Sequence, residues 1–396
     1  MALAPLYRYE VADLRTGTVL GDLPLDGVKY SKKLNDSGTF SGSFTVESRL
    51  RTKRAVEDPY DWTMPAKRCI TAYRDEQPVW GGIIWTSSYD SSNGVVSVGA
   101  GDYWSYFDHR MVLPVLALVD GGYGNKVASA ADYVATRSVS YGTTEQLLIA
   151  RNLVALAQAH TGGDIGIELD GSLSSGIDRD RTYDGFDLST VGQALRNLAN
   201  TLDGPDMLFD VVGLDAQSRP IRRLLQGEPL LGVQGSPHVF EYGANLISYT
   251  WPRDGTGMIS REFATGDGTA EGTPIAVSED VSVYTAENGG YPLLESEHQW
   301  SGVSEVDTLQ DHADSRQGIS SMPLATPHFI VRGSMSPTVG EWAIGDDAVA
   351  LIEDDFFVHG METTVRIVAA EVTPGSGDDG TETVDLTVPP LLVDVA

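Results

Sequence analysis

The sequence predicts a mainly β protein with α+β insertions. Three observations carry that prediction. The first 110 residues fall into about seven short runs of strand-favouring residues, separated by turn signals at regular intervals. Helical periodicity is confined to a few segments, all of them after residue 140. Alternating apolar and polar residues return toward the C-terminal end, so β modules open and close the chain around a helix-bearing insertion.

Taken in order, Leu6 to Asp13 alternates and reads as a strand, and Thr16-Gly17 is a turn. Val19 to Leu25 is extended, with Pro24 favouring an edge position. Gly27 to Leu34 alternates weakly, and Asn35-Asp36-Ser37-Gly38 is a strong turn signal. Thr39 to Val46 places Phe40, Phe44 and Val46 on one face, and Asp58 to Met64 reads as a loop rich in Tyr and Trp. The organising stretch is Gln77 to Trp85, whose Val, Ile and Trp residues favour a strand and whose centre is Gly81-Gly82. Paired glycines inside a strand mark a bulge or a close backbone approach. Cys69 to Tyr73 is a preceding strand, and Arg74-Asp75-Glu76 is the turn between the two. A hairpin bent at glycine is how a small sheet curls toward closure, so these strands, with Val95 to Ala100 and Tyr103 to Phe107, are expected to form a closed barrel.

From about residue 111 the character changes. Met111 to Val139 reads as loop. Thr143 to His160 is expected to be a helix capped by Thr143 or Thr144 and stopped by Gly162-Gly163. Ser189 to Leu202 carries Val191, Leu195, Leu198 and Leu202 on one stripe, with Ser189 as cap and Gly204-Pro205 as terminator. Met207 to Leu214, Ile221 to Leu225 and His238 to Tyr242 read as strands. Ile247 to Trp251 and Met258 to Thr265 begin another β region. A third helix is expected over Glu305 to Gln317, with Val306, Leu309 and Ala313 as its apolar stripe and Gly318 at its end. Pro327 to Val331, Ala348 to Leu351, Thr364 to Thr373 and Glu382 to Val388 alternate as strands, and Gly340 to Asp346 is a turn-containing loop.

The 396 residues suffice for two to four domains. The formal net charge of −29 is uneven. Residues 1–110 carry 13 basic and 14 acidic side chains, and the rest of the chain carries 14 and 42. Such a balance argues against ordinary nucleic-acid binding, which needs Lys and Arg to neutralise phosphates. It suits a surface that does not retain nucleic acid, and equally an acidic soluble protein. The single cysteine, Cys69, lies in an apolar run and reads as core; an intramolecular disulfide is impossible. No signal peptide is expected from the first residues, and no apolar run reaches the ~18–20 residues of a membrane span.

Acidic pairs are the first chemistry to weigh. Asp178, Asp180, Asp184 and Asp187 cluster around Arg179 and Arg181. Paired carboxylates of this kind serve acid/base glycan hydrolysis or hold a cation. With 56 acidic residues in the chain, a solvated, salt-bridged loop entering the second helix accounts for the same pattern. The seven histidines, at 109, 160, 238, 298, 312, 328 and 359, never form H-x-x-x-H or H-E-x-x-H, and no EF-hand loop, G-x-S-x-G elbow or P-loop is found. Gly121 to Lys126 resembles a phosphate loop only loosely and reads as a flexible loop. No catalytic, cofactor-binding or metal-binding residue is therefore assigned, and no cofactor is expected. Tyr60, Trp62, Tyr103, Trp104, Tyr106 and Phe107 would serve either as a sugar-stacking platform or as core and oligomer contacts. Lys29, Lys32, Lys33, Arg49, Arg51, Lys53 and Arg54 would serve as a docking patch for an acidic partner ring or as edge-strand protection.

The order of several motifs carries a resemblance. D-L-R-T-G-T-V-L and Y-S-K-K-L-N-D-S-G-T-F-S-G-S-F (within 13–44) precede C-I-T-A-Y-R-D and P-V-W-G-G-I-I-W (69–85) and G-D-Y-W-S-Y-F-D-H-R (101–110). R-T-Y-D-G-F-D and V-G-Q-A-L-R-N-L-A (181–199) follow, then G-E-W-A-I-G-D-D-A (340–348) and V-R-I-V-A-A-E-V with T-V-D-L-T (365–387). Over nearly the whole chain this is similar to minor tail proteins of long-tailed phages (siphoviruses) of actinobacteria, and more broadly to the tail-hub family of the baseplate. The resemblance implies a structural, non-enzymatic protein of the virion tail tip. It implies a homotrimer with two tube-protein-like β-barrels per subunit, six barrels forming a ring that matches the tail tube or distal tail ring. Residues 1–110 would be the first barrel, completed by 205–245. Residues 111–204 would be a helical or mixed insertion, and 246–396 the second barrel with insertion helix 305–317. Implied partners are the distal tail or tube ring, the tail tip or receptor-binding proteins and the tape-measure protein, with DNA passing transiently and without specific binding. Some members append a peptidase or lysozyme domain; the sequence ends at Ala396 directly after the last expected strands, so none is expected. Part of the acidic surface beyond residue 110 would line the lumen and keep outgoing DNA from adhering. The rival from another class is a carbohydrate-binding or acid/base glycan-hydrolysing protein of the tail or cell surface using the acids of 178–187.

Overall fold

The computed structural model describes residues 5–46, 56–116, 118–120, 125–127, 134–201, 203–266, 268, 270–285, 290–300, 306–375 and 381–390. Strands dominate. The first segment supplies β1 (Tyr7–Asp13), β2 (Val19–Asp22), β3 (Asp26–Lys33), β4 (Thr39–Thr45), β5 (Arg68–Arg74), β6 (Gln77–Asp90) and β7 (Val95–Asp102), with short helices α1 (Pro59–Trp62) and α2 (Trp104–Phe107). The middle contains β8 (Leu118–Asp120), β9 (Asn125–Val127), β10 (Ser138–Glu145), α3 (Gln146–Ala159), β11 (Ile167–Leu169), β12 (Asp178–Asp184), α4 (Val191–Ala199), β13 (Met207–Leu214), β14 (Pro220–Gln226), β15 (Val239–Glu241) and β16 (Leu246–Thr250). Then come β17 (Arg261–Thr265), β18 (Ile275–Glu279), α5 (Ser282–Thr285), β19 (Glu295–Gln299) and α6 (Val306–Ser320). The last are β20 (His328–Arg332), β21 (Asp347–Ile352), β22 (Met361–Arg366), β23 (Ala369–Thr373) and β24 (Thr383–Thr387). The chain divides into two compact units, Met1–Tyr249 with Phe329–Ala396, and Thr250–His328.

The larger unit is organised by an eleven-stranded sheet ordered β16-β20-β24-β23-β3-β4-β7-β6-β5-β1-β2. The hairpin β5–β6 is closed by Asp75 and Glu76, with φ of 49° and 64°, so two non-glycine residues occupy the left-handed region of a tight turn. The paired glycines permit close approach. A Cβ on Gly82 would stand 2.2 Å from the Gly101 carbonyl oxygen, and one on Gly81 would stand 2.8 Å from Val211. Register shifts at Ala72/Tyr73 and at Ile84/Thr86 bend β6 along its length. The sheet curls around its own interior: Phe40 of β4 stacks on Trp80 of β6 at 5.1 Å, Tyr9 of β1 meets the Phe40 edge at 5.9 Å, and the Trp80 indole donates to the Ser31 carbonyl at 2.9 Å.

The β strands at the two ends of the sequence share this sheet, because β23 pairs antiparallel with β3 from Ala369↔Lys33 to Val372↔Tyr30. A second circuit of strands surrounds Phe240, Phe329, Ala348 and Ala350, all fully buried. Here β15 pairs parallel with β21, and β21 antiparallel with β22. Val365 of β22 bridges to Pro390 beyond β24, and Tyr242 bridges to Leu246, joining β15 to β16. The expected strand 364–373 is thus two strands in different sheets, interrupted at Ile367-Val368.

Between these β regions, α3 and α4 bury Ile149, Ala150, Leu153, Val154, Val191, Ala194, Leu195 and Leu198 against α2, β13 and β14. The expected caps move by one or two residues. Glu145 caps α3 by accepting from the Leu147 and Leu148 N–H groups, and Thr190 caps α4 by accepting from Gln193 N–H. Thr143 does not serve: it sits at φ 45° at the register shift within β10. Residues 103–107, expected as a strand, turn into α2 instead. Asp102 accepts from Trp104 N–H at 3.0 Å, and Tyr103, Trp104 and Phe107 are all buried, a spacing that one strand face does not supply. Region 111–139, read as loop, contains β8 and β9, which pair with each other.

The smaller unit is a three-stranded sheet ordered β18-β17-β19 under α6. Its buried apolar cluster is Ala264, Ala276, Leu309 and Ala313, with Trp300 packed against it. His312 stacks on Trp300 at 5.1 Å and His298 meets its edge at 4.4 Å. The helix runs past Gly318 to Ser320, and Val306, expected on the apolar stripe, is exposed.

Candidate assembly interface

The site-bearing features of the larger unit are buried charges that lock distant strands, and exposed aromatic groups at strand ends. Glu382, just before β24, has no solvent exposure. Arg74 of β5 holds it with a fork, Nε and Nη2 each at 3.0 Å, and the Tyr7 hydroxyl of β1 donates to it as well. Burial first, then Tyr30 and the Glu382 carboxylate, hold the Tyr7 phenol far above its ordinary pKa, so it remains a donor. Three further charged contacts tie the segments together. Lys32 of β3 meets Asp210 of β13 at 2.5 Å, Arg366 of β22 grips Asp206 and the Leu231 carbonyl, and Arg196 of α4 spans Asp36 and Asp108 at 2.8 and 2.5 Å. These bonds tie together strands and helices that lie far apart in sequence.

Asp102 is fully buried at the end of β7, where it accepts from Gly38 N–H at 2.6 Å, Ser37 Oγ at 3.0 Å and Trp104 N–H at 3.0 Å. Burial pushes its carboxyl up to about 7, against the pull of these donors. Its donors come from the β3–β4 turn and from the start of α2, so its role on this geometry is to hold that turn.

The acidic cluster resolves differently from the loop reading. Residues 178–184 form β12, paired antiparallel with β10 from Ser138↔Asp184 to Glu145↔Asp178. Asp178 and Asp180 point to solvent while Arg179, Arg181 and Tyr183 turn to the half-buried side, and Asp187 falls beyond the strand. Asp180 accepts from Thr143 N–H at 2.7 Å. The strand alternation spreads these carboxylates along an exposed ribbon. Among the described residues no group of three or more His, Cys, Asp or Glu side chains is placed to hold a metal ion, and no helix is long and apolar enough to cross a membrane.

The aromatic set also divides. Tyr103, Trp104 and Phe107 are core, Trp62 lies over Gly21, and Tyr60 alone stands open, at 79% exposure. Of the basic set, Lys29 pairs with Glu371 at 3.1 Å and Lys32 with Asp210, whereas Arg49, Arg51, Lys53 and Arg54 lie outside the described residues, as do Gly121 to Gly124. Cys69 is buried, and Arg222 donates to its sulfur at 3.1 Å.

Sequence reasoning missed a patch at the β21–β22 connection. Phe356 and Val358 are 57% and 65% exposed beside Glu353 and Asp355. Beneath them the Tyr249 ring lies tilted against Phe357 at 6.0 Å and edge-on to Tyr242 at 5.4 Å, and the Tyr249 hydroxyl donates to Asp354 at 2.6 Å. The run D-D-F-F-V was the available signal, because three consecutive large apolar residues in a turn have no core to enter.

The fold so assembled is one shared with phage tail proteins. The chain aligns with the 43 kDa tail protein of prophage MuSo2 from Shewanella oneidensis at a TM-score of 0.59 and 11% identity, over 96% of this chain and 97% of that one. It aligns with the tail protein from Neisseria meningitidis MC58 at 0.56 and 15%, over 96% of each chain. Prophage tail protein gp18 from Listeria monocytogenes EGD-e aligns at 0.50 and 12%, over 96% and 94%. No protein-family model matches the chain, and no curated protein matches it in sequence.

Proposed function

We propose that the chain is a structural component of a phage tail, located in the virion at the tail tip. There it acts as a hub that joins the tail tube or distal tail ring to tip and receptor-binding proteins. The observation that carries this reading is alignment from end to end: 96% of this chain covers 97% of a prophage tail protein. A part shared by chance between unrelated proteins does not account for both chains at once. The role is one of geometry and interfaces, not turnover. Three copies would form a ring, each contributing two barrels: one from residues 1–110 completed by 205–245, the other from 246–396, with 111–204 as an insertion. The tape-measure protein and then DNA would pass through the ring, and the acidic balance beyond residue 110 supports a lumen that does not retain DNA. A long-tailed phage of actinobacteria remains the proposed source on the motifs alone.

The test is native mass by light scattering over a range of concentrations, alone and with the cognate tube protein. A trimer, or a monomer that trimerises with the tube protein, supports the hub. A monomer under every condition that binds or cleaves cell-wall glycan overturns it.

A further inference from the structure

A cleft in the larger unit contains a cation that the scaffold leaves unbalanced. Its floor is one face of two paired strands, with Glu10 and Ala12 of β1 opposite Thr71 and Cys69 of β5. Arg15, just after β1, and Arg222 of β14 stand on its walls, around a volume of about 240 Å³.

Arg222 is largely buried, and most of its hydrogens are used. Nη1 donates to the Leu14 and Ile165 carbonyls, both at 2.7 Å, and Nη2 to the Cys69 sulfur at 3.1 Å. Its Nε–H meets no acceptor among the described residues and is not sealed from solvent. The charge of Arg222 is not used at all. Carbonyls are neutral acceptors, and burial raises both the Cys69 thiol and the neighbouring Tyr103 phenol, so neither is an anion at neutral pH. Asp13 acts on Arg222 only at longer range and is itself bound to Arg68 at 2.8 Å. By contrast, Arg68, Arg74, Arg196 and Arg366 each meet a carboxylate directly. A buried charge without a counter-ion is costly.

The carboxylates of the cleft are committed elsewhere. Glu10 is held by Arg8 at 2.9 Å, Glu168 by Arg223 at 2.8 Å and Asp215 by Arg219 at 3.0 Å. Arg15 is exposed and has no carboxylate within ion-pair distance among the described residues. Two unbalanced positive charges therefore line one small cleft, in a chain of net charge −29. We propose that this cleft is a binding site for a single carboxylate, which balances Arg222 on the inside and Arg15 at the rim. The space is smaller than a pocket for a drug-sized ligand, and a carboxylate matches a guanidinium with two oxygens. On a polypeptide that group is an Asp or Glu side chain or the terminal carboxylate. The site does not depend on the hub reading.

The test follows the Ile165 and Ile221 methyl resonances of the full chain at constant ionic strength and pH 7. The probes are N-acetyl-aspartate amide, N-acetyl-glycine, N-acetyl-asparagine amide and inorganic phosphate. A carboxylate is expected to shift both methyls saturably. Tighter binding of the aspartate derivative marks a side chain as the source, and tighter binding of N-acetyl-glycine marks a chain end. The neutral asparagine isostere is expected to shift neither methyl. Arg222→Gln is expected to weaken the carboxylates at least about 10-fold, the worth of a charged hydrogen bond. Arg15→Gln is expected to weaken them about 2- to 5-fold. This exposed variant and the isostere keep the test valid if Arg222→Gln does not fold. No response to either carboxylate, an equal response to the isostere, phosphate binding more tightly than both carboxylates, or unchanged affinity in either folded variant each overturns the site. None of these outcomes bears on the hub reading, which native mass decides.

Discussion

In the larger unit the buried carboxylate Glu382 is held by an arginine fork and a tyrosine drawn from strands far away in sequence. In the smaller unit the equally buried Glu262 faces one half-exposed arginine, Arg316, at 3.1 Å. The apolar cores differ in the same sense. The larger unit packs two long helices and an aromatic cluster of Trp104, Phe107 and Phe209, with ring centroids 4.8–5.5 Å apart. The smaller one closes on three alanines, one leucine and a tryptophan flanked by histidines. Stability follows buried area and satisfied charge, so the larger unit is the rigid frame and residues 250–328 are the part expected to open first.

The largest effect expected is in the frame. Glu382→Ala leaves Arg74 without its buried partner and is expected to cost about 3–5 kcal/mol. Urea unfolding should show the midpoint of the whole larger unit falling. A change confined to residues 250–328 would reverse the assignment of frame and weak unit. Leu309→Ala, at a fully buried position of α6, is expected to cost about 2–5 kcal/mol. Its readout is selective: limited proteolysis should cut within 250–328 while the remaining sheet keeps its hydrogen-exchange protection. Protection lost everywhere at once would mean that the two units unfold together.

A third test concerns pH. The Asp102 carboxyl titrates at about 7 in the fold and at 3.8 when unperturbed. The folded form therefore holds a proton that the unfolded form releases, and this contribution is complete below 3.8 and lost as pH rises through about 7. Asp102→Asn should remove that decline. The difference in unfolding free energy between the two proteins should slope across this window and be flat outside it. Parallel profiles from pH 4 to 7 would mean that Asp102 is ionised in the fold throughout. The smallest effect is at the β5–β6 turn, where Glu76 occupies φ 64°. Glu76→Gly should stabilise the protein by about 1 kcal/mol, seen as a raised thermal midpoint.

What was legible in the sequence was local. The hairpin 69–85 could be read because branched and aromatic residues flank the charged turn Arg74-Asp75-Glu76, and the paired Gly81-Gly82 marked the close approach that Gly101 makes to Gly82. The three long helices could be read from apolar spacing, with caps displaced by one or two residues: Glu145 instead of Thr143 or Thr144, and Thr190 instead of Ser189. The strand β12 was not legible, because Asp-Arg-Asp-Arg-Thr-Tyr-Asp has low strand preference and no apolar face. Its inward side is the stems of arginines and Tyr183. The pairing of β3 with β23 was also out of reach, since nothing in either strand alone specifies a partner so distant in sequence. At the level of sites, sequence supplied the acidic balance but not the cation-lined cleft, because Arg15, Cys69 and Arg222 meet only in the folded chain.

That same pairing has a consequence for synthesis. Until Ala370 is made, the strand edge that will receive it, from Tyr30 to Lys33, stands open in the emerging chain, and open strand edges are where chains adhere to one another. The ribosome therefore delivers a long polypeptide whose opening sheet waits for its closing strands, and a chain broken off early keeps that edge bare. A copy that stops short of residues 369–373 cannot close this flank.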